Sequence, residues 1–330
     1  MRILRFLIIL AVLGVCAGRL NAQTDVQLTQ FYEVPSFYNP SAIGLTDNLR
    51  IRAGARLQWI GITNAPRTFL GVADMPWKFG KQRVAVGVNI QQESMGLYST
   101  LTAGAQFAYK LRKLGGEWSV GIQLGMYDQG FKGSEVYIPD DDEYHQGTDE
   151  GLPQTDIHGT AFDIAAGIYY THKYFHAGLS ATHLTSPSIT MSAAGSSGGS
   201  EGSSDKKYEF QVRRTLYFTA GGNIPIKDTL FEIVPSLIVR TDFTFTTGAL
   251  MGRLRWKKFL SFGVGCRWDD AVLATVAAEV KNFYIGYSYD YTTSAIRTAS
   301  SGSHELFVGY SMKLDFSEKN KNRHKSVRLM

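Results

Sequence analysis

Alternation between apolar residues and polar or very small residues is the feature of this sequence that most constrains its fold. The clearest example spans residues 49–59. One face of that segment carries Leu49, Ile51, Ala53, Ala55, Leu57 and Trp59, and the other carries Arg50, Arg52, Gly54, Arg56 and Gln58. Because successive side chains of a strand point to opposite faces, this pattern predicts a β-strand with one apolar face. Three arginines on the other face favour a wet lumen over a dry core.

The same alternation recurs along the rest of the chain. We predict further strands at 84–90, 101–110, 118–126, 162–170, 175–181, 216–220, 260–268, 272–280, 283–291 and 306–316, with weaker ones near 67–75, 230–240 and 243–254. The 34 glycines, 17 tyrosines and 19 phenylalanines suit an all-β chain of this kind. The sequence therefore predicts a transmembrane antiparallel β-barrel of about 14 strands.

Strands of a soluble sandwich or a lipocalin-like barrel also alternate between apolar and polar residues. The lengths of the connections are therefore needed to distinguish these folds from a membrane barrel. Every second predicted connection is tight and carries lysine. These connections lie at 77–81, 113–116, 172–173, 227–228, 257–258 and 281–282. The longest connections all fall at the opposite end of the barrel from these tight turns, and they span 128–158, 185–209 and 291–303. Two connections at that end, around Asp242 and Asp269, are short exceptions. Short periplasmic turns and long outer loops are typical of outer-membrane barrels.

The first 22 residues predict a secretory signal peptide. Arg2 and Arg5 precede an apolar run over 6–18, and residues 20–22 form a plausible cleavage site. Cys16 raises the alternative of a lipoprotein, although Val15 is bulkier than the residue that usually precedes a lipidated cysteine. Removal of the signal leaves Cys266 as the one remaining cysteine and excludes an internal disulfide.

Charge divides the exported chain into a body and a tail. The whole sequence has a net charge of +5. The barrel region 48–316 ends before a basic tail at 317–330, which has a net charge of +4 because five basic residues outweigh Glu318. Its basic residues are Lys319, Lys321, Arg323, Lys325 and Arg328. The body left without the signal and the tail is slightly acidic, which excludes the charge pattern of a nucleic-acid-binding protein. We expect the tail to lie in the periplasm and to be a candidate for docking a partner.

The segment 23–47 precedes the first strand and contains several turn-forming residues. Asn39 and Pro40 favour a turn, and Gly44 permits a sharp bend. Its apolar side chains at 31, 32, 34, 37 and 38 would be exposed to solvent if the segment were free. The segment could therefore plug the lumen.

Two groups of residues invite a chemical interpretation, and neither is convincing. His172, His176 and His183 would suit a metal, but His176 and His183 are seven residues apart on one strand and should face opposite sides. His304 and Glu305 could form an acid–base pair, but adjacent strand residues also face opposite ways. Motifs for nucleotide binding, serine hydrolysis or zinc helices are not found. We expect no enzymatic activity, no cofactor and no metal site.

Several motifs together resemble one known family. They are residues 37–44, 56–61 and 65–68, then 178–184, 223–225, 286–291 and 302–305, in that order along the chain. In this order and spacing they resemble the PorP/SprF family, over almost the whole exported chain. The residues that carry the resemblance are Asn39, Pro40, Gly44, Gln58, Trp59, Pro66, Arg67, Thr68, His183, His304 and Glu305.

The resemblance implies an outer-membrane component of the type IX secretion system. Family members are associated with the periplasmic ring of the secretion machine, or with retaining secreted surface proteins and gliding adhesins. The implied partners are outer-membrane lipid and periplasmic ring proteins, with secreted cargo or an adhesin as a further candidate. A second hypothesis remains open from the residues alone, namely an outer-membrane transporter or porin for hydrophobic or small solutes.

Overall fold

The computed structural model describes residues 25–79, 82–136, 153, 155–193, 208–257 and 259–314. The predicted signal peptide, the Gly/Ser-rich tract at 195–204 and the basic tail at 317–330 lie outside the described residues. Within the described ranges, no helix is long and apolar enough to cross a membrane.

Seventeen strands make up the described part of the sheet. They are β1 (Asn48–Leu57), β2 (Arg67–Phe79), β3 (Gln82–Met95), β4 (Tyr98–Lys113), β5 (Gly116–Phe131), β6 (Ile157–Thr171), β7 (Phe175–Thr182), β8 (Ser188–Ala193), β9 (Tyr208–Gln211), β10 (Thr215–Gly222), β11 (Ile224–Pro225), β12 (Phe231–Thr241), β13 (Thr246–Trp256), β14 (Leu260–Arg267), β15 (Ala271–Val280), β16 (Phe283–Thr292) and β17 (Ser303–Lys313).

The sheet closes into a barrel because β1 pairs antiparallel with both β2 and β17. Strands β8 and β9 form a side hairpin, and β11 continues β10 along β12, so fourteen strands make up the ring. Each predicted strand is present, including the three weaker ones, which are β2, β12 and β13. The predicted fold class is confirmed.

The two faces of the barrel wall have opposite chemistry. Outward side chains are apolar and exposed, with Phe69 55 %, Val264 71 % and Ile285 54 % accessible. Inward side chains are often charged yet buried, as Arg52 and Arg56 are. A soluble sandwich or lipocalin-like barrel would bury the apolar face instead. This inside-out arrangement is the one that a bilayer requires.

The predicted difference between the two ends of the barrel is present. Strands at one end are joined by tight turns, such as Leu114–Gly115, where φ is positive at both residues as in a type I′ turn. The opposite end carries the longer connections 132–156, 183–214 and 293–302. A further short connection there joins β3 to β4 at residues 96–97. We call these the short-turn end and the long-loop end.

The connection predicted as a loop at 185–209 contains the β8–β9 hairpin. Ile189 and Met191 of β8 are buried in a small apolar cluster with Tyr127 and Phe131 of β5. The hairpin also extends the sheet, since Ser192 pairs with His158 of β6. Strands of six and four residues next to a Gly/Ser-rich tract show too short an alternation to be recognised in the sequence.

The lumen differs from the water-filled interior expected from the arginines of β1. Residues 25–47 lie inside the barrel, with short helical turns over Phe31–Glu33, Pro35–Tyr38 and Pro40–Ala42. Val26, Leu28 and Val34 of this N-terminal segment share an apolar cluster with Leu273 and Phe307 of the wall. Arg56 is only 2 % exposed because the segment covers it.

Candidate functional site

A buried ion cluster joins the N-terminal segment to the wall at mid-lumen. Arg56 lies 2.7 Å from Asp290 and 3.2 Å from Glu305. Arg267 lies 3.1 Å from the same Asp290 oxygen, so two guanidinium groups share this carboxylate. The hydroxyl of Thr29 donates to Asp290 at 2.6 Å. Wall residues from β1, β14, β16 and β17 therefore converge on one residue of the segment.

Glu305 holds the backbone of the segment. Its two carboxylate oxygens accept hydrogen bonds from the backbone N–H groups of Thr29, at 2.8 Å, and Gln30, at 2.7 Å. The side chain of Gln30 in turn accepts from the Tyr284 hydroxyl at 3.0 Å. Charges buried this deeply are tolerated when they are paired and hydrogen-bonded, and of the Arg56 guanidinium only Nε lacks a partner among the described residues. The wall and the segment each satisfy polar groups of the other.

A second contact lies toward the long-loop end, at the beginning of the described segment. Nε2 of His183 lies 3.2 Å from Asp25, and its Nδ1 lies 2.8 Å from Asp163 of β6. Asp25 also accepts hydrogen bonds from Tyr217 through its carboxylate and from Arg240 through its backbone carbonyl. The imidazole therefore bridges the segment and the wall.

The ionisation of these groups follows from the bridge. Burial alone lowers the pKa of His183, but the charge of Asp25 and the hydrogen bonds to both carboxylates outweigh it and raise that pKa from 6.5 to about 10. Burial alone raises the pKa of Asp25, whereas His183 and Arg240 outweigh it and hold that pKa well below its usual value. Both groups are charged at neutral pH.

A third contact lies toward the short-turn end. Glu33 approaches Arg52 of β1 at 3.4 Å and Arg253 of β13 at 3.5 Å. The Arg253 guanidinium carbon lies 3.4 Å from the centroid of the Tyr32 ring, a cation–π geometry. Arg50 donates to the backbone carbonyl of Glu33 at 2.9 Å. The segment thus has ionic contacts toward both ends of the lumen and hydrogen bonds to charged wall residues between them.

The Asn39–Pro40–Gly44 signature fits close against the wall. Asn39 accepts from its neighbour Ser41 at 2.9 Å and donates to the Ile168 carbonyl of β6 at 3.0 Å. Pro40 packs on Gly121 of β5, where an added Cβ would lie 2.6 Å from the Pro40 carbonyl oxygen. Gly44 adopts φ +57 and donates to Asp74 of β2 at 2.7 Å. Glycine is needed on both sides of this contact.

The family-signature residues do not form a single site. Asn39, Pro40, Gly44, His183 and Glu305 lie in the lumen contacts described above. The others lie around β1–β2 and β17 near the long-loop end. There, the backbone N–H of Gln58 donates to the Pro66 carbonyl, and that of Trp59 donates to the Ser303 hydroxyl. Thr68 is buried and Arg67 is exposed. His304 contacts the Tyr287 hydroxyl.

The histidine geometry corrects one expectation from the sequence. His176 stacks on Tyr169 inside the lumen, and His183 also faces inward, although the seven-residue spacing predicted opposite faces. Strand β7 ends at Thr182, and the left-handed backbone of His183, with φ 54, turns its side chain back inside. Among the described residues no group of three or more His, Cys, Asp or Glu side chains is placed to hold a metal ion. His304 and Glu305 do face opposite ways, as predicted.

Several residues of the lumen contacts were not singled out from the sequence. They are Asp25, Thr29, Glu33, Asp163, Arg253, Arg267 and Asp290. Charged residues at alternating wall positions, such as Arg253, Arg267 and Asp290, could have been assigned to the inner face from the strand pattern alone. Their partners could not, because Thr29 and Glu305 are 276 residues apart in the chain.

Comparison with solved structures returns several transport and secretion barrels at low identity. The Ralstonia pickettii toluene transporter TbuX is 10 % identical, with a TM-score of 0.48, 85 % of this chain and 93 % of that chain covered. The Pseudomonas putida toluene transporter TodX is 7 % identical, with a TM-score of 0.49 and coverages of 88 % and 95 %. The translocator domain of the Neisseria meningitidis autotransporter NalP is 12 % identical, with a TM-score of 0.42 and coverages of 86 % and 94 %. Toluene transport is a property of the first two proteins.

Comparison of the sequence itself identifies the family. A search of curated proteins returns no match. A scan against protein families matches residues 20–310 to the type IX secretion system membrane protein PorP/SprF. The closed barrel with an apolar outer face places the protein in the outer membrane. The match covers far more than half of the chain, which therefore belongs to the PorP/SprF family of type IX secretion system membrane proteins.

Proposed function

We propose that this protein is a non-catalytic component of the type IX secretion system with a closed lumen. In this role it anchors the periplasmic secretion machinery, or retains secreted surface proteins, at the outer membrane. The observation that carries the proposal is the set of buried hydrogen bonds that join Thr29 and Gln30 of the N-terminal segment to Arg56, Asp290 and Glu305 of the wall. A segment held this firmly favours a structural role over passage of solutes.

The size of the spaces beside the segment also supports a closed lumen. Cavities of about 60 and 130 Å³ lie between the segment and the wall. On a scale where a single water needs about 10–15 Å³, these are small compartments beside a segment that fills most of the lumen. A transporter would have to displace the segment and break the hydrogen bonds that Thr29 and Gln30 make with Asp290, Glu305 and Arg56.

Solute uptake into vesicles distinguishes an anchor from a transporter. Purified protein would be reconstituted into liposomes, and entry of arabinose and of benzenesulfonate, neither of which crosses lipid readily, would be compared with that into protein-free liposomes. We expect equal rates, because the segment obstructs the lumen. Saturable uptake of either solute by the intact protein would refute the closed-lumen proposal and favour the transporter hypothesis.

The short-turn end is the surface that we propose for docking periplasmic ring proteins. Lys78, Arg83, Arg112 and Lys313 line a depression of about 430 Å³ there, together with Asp47. Arg83 is paired with Asp47 and Glu117, but the basic side chains outnumber the acidic ones. Positive charge of this kind attracts an acidic partner surface, chiefly at low salt. The basic tail begins just beyond Lys313 in the sequence and would add to it.

Truncation after Phe316 tests the docking proposal. The truncated chain keeps all described strands, so we expect normal insertion with reduced co-purification of periplasmic ring proteins and reduced secretion. A chain in which Lys319, Lys321, Arg323, Lys325 and Arg328 are all changed to Gln is the matched control for tail length. Full secretion and undiminished co-purification by both variants would show that the tail does not dock the machine.

A further inference from the structure

The 130 Å³ cavity lies between the N-terminal segment and the wall formed by β6, β7, β10, β12 and β13. Thr171 and His176, which flank the β6–β7 turn, place it toward the short-turn end. On this scale a single water needs about 10–15 Å³, so the cavity has room for a small organic group. It is separate from the ion cluster around Arg56.

Three buried polar atoms beside this cavity have no hydrogen-bond partner within the part of the chain that the structure describes. They are the hydroxyl oxygens of Thr219 and Ser236 and Nε of Arg253. Thr219 is 9 % exposed and Ser236 3 % exposed, so bulk water does not reach them freely. Buried polar groups without partners are rare and costly in folded proteins. Their convergence on one cavity indicates a ligand that accepts hydrogen bonds.

The charge and the walls of the cavity specify the ligand further. Arg50 and Arg253 both line it; the Glu33 carboxylate contacts Arg253, whereas Arg50 donates to the backbone carbonyl of Glu33. The local charge is therefore positive. Phe31, Pro35 and Leu45 of the segment form an apolar side opposite the hydroxyl groups. A guanidinium N–H and two hydroxyls suit a carboxylate, while the apolar side suits a hydrocarbon body.

We propose that this cavity binds a small organic carboxylate with an apolar or aromatic body. The carboxylate accepts hydrogen bonds from Arg253 Nε and from the hydroxyls of Thr219 and Ser236, and the body packs against Phe31 and Leu45. Two sources share this chemistry: a free small carboxylate, and the C-terminal residue of a polypeptide that reaches the short-turn end.

Benzoate labelled with ¹³C at the carboxyl group is the first probe, titrated by NMR into the purified full-length protein in detergent. We expect a saturable shift with benzoate, and none with benzyl alcohol, which lacks the charge. Thr219→Val should weaken binding about tenfold through loss of one hydrogen bond to a charged group, and Thr219→Ser should retain it. Thr215→Val is the matched control, because the Thr215 hydroxyl is also buried on the inner face of β10 and has no partner among the described residues, but it lies outside the cavity.

The sources are distinguished with N-acetylphenylalanine and its C-terminal amide. Tighter binding of the acid than of benzoate, with no binding of the amide, would indicate a polypeptide terminus, whereas tighter binding of benzoate would indicate a free carboxylate. Heat-modifiable migration on gels verifies that each variant is folded. The proposal is wrong if benzoate gives no saturable shift, if benzyl alcohol binds equally well, or if Thr219→Val and Thr215→Val have the same effect. In those cases water alone satisfies the three atoms.

Discussion

The charged residues of the inner wall form hydrogen bonds and ion pairs beneath the N-terminal segment that covers them. Glu305 pairs with Arg56 and accepts two backbone hydrogen bonds from the segment. Glu305→Gln keeps the shape but removes the charge and replaces one acceptor with a donor. We expect it to lower the free energy of unfolding by about 3–5 kcal/mol, because Arg56 loses a buried partner.

The measurement for this substitution is the urea midpoint of unfolding in detergent micelles. Glu279→Gln is the matched control, since Glu279 is exposed at the short-turn end of β15. Surface substitutions of this kind usually change stability by less than about 0.5 kcal/mol. Equal midpoints for the two variants would show that the ion cluster does not hold the segment.

His183 makes attachment of the segment depend on pH. Its pKa is raised from 6.5 to about 10, so its contribution to stability is complete below pH 6.5 and is lost as the pH rises through about 10. Asp25, whose pKa is lowered from 3.8, contributes above pH 3.8 and loses that contribution on acidification. The unfolding midpoint should therefore fall between pH 6.5 and 10, and His183→Gln should flatten that fall. His172→Gln, in the β6–β7 turn, should leave the profile unchanged, and a profile unaltered by His183→Gln would contradict the bridge.

Among the elements, β5 allows the segment to pack closely against the wall because it has a glycine at position 121. Gly121→Ala would place a Cβ 2.6 Å from the Pro40 carbonyl oxygen and force the segment away from the wall. We expect a cost of about 1–3 kcal/mol, typical of overpacking, and faster proteolysis of the segment. Gly252→Ala on β13 is the control, because its Cβ would have a single neighbour at 3.8 Å. Equal proteolysis of the two variants would exclude tight seating of Pro40.

The two faces of β1 differ in what they tolerate. Ala53 faces lipid, so Ala53→Arg should impair assembly at a cost of about 2–4 kcal/mol near the bilayer midplane. Ala53→Leu keeps an apolar surface and is the matched control. The measurement is the fraction of each variant that migrates as the folded form on unheated gels, and equal fractions would mean that the face is assigned wrongly. Arg52, on the inner face, pairs with Glu33 and lies 5.0 Å from the Tyr284 ring centroid, so it belongs to the packed interior.

Alternation predicts the wall strands correctly because contact with lipid requires an apolar side chain at each outward position. This pattern is local, so each strand can be recognised without knowing which strand it pairs with. It could not reveal the interior. A lumen face with Arg50, Arg52 and Arg56 is equally compatible with water and with a polar segment that pairs with those arginines. The turn residues and apolar side chains of the N-terminal segment predict that it can enter the lumen. Its pairing with Glu305 and His183 depends on contacts between residues far apart in sequence.

On the scale of the whole molecule, the N-terminal segment runs from one end of the barrel to the other. Asp25 lies beside His183 at the long-loop end, and Asp47 lies in the depression at the short-turn end. The segment then continues directly into β1. A barrel whose lumen holds residues 25–47 has two very different ends, with extended loops at one and a compact, basic surface at the other.

The two ends of the barrel should face opposite sides of the outer membrane. We expect the long-loop end to face the outside, because long outer loops and short periplasmic turns are typical of outer-membrane barrels. Ala299 and Asn282 are both exposed and lie beyond opposite ends of β16, which makes them a matched pair for cysteine labelling. Cys266, which is exposed on the barrel surface, would first be changed to Ser. A membrane-impermeant maleimide added to intact cells should label Ala299→Cys and not Asn282→Cys, and both should be labelled once the outer membrane is permeabilised. Labelling of Asn282→Cys alone on intact cells would reverse the orientation and move the proposed docking surface to the cell exterior.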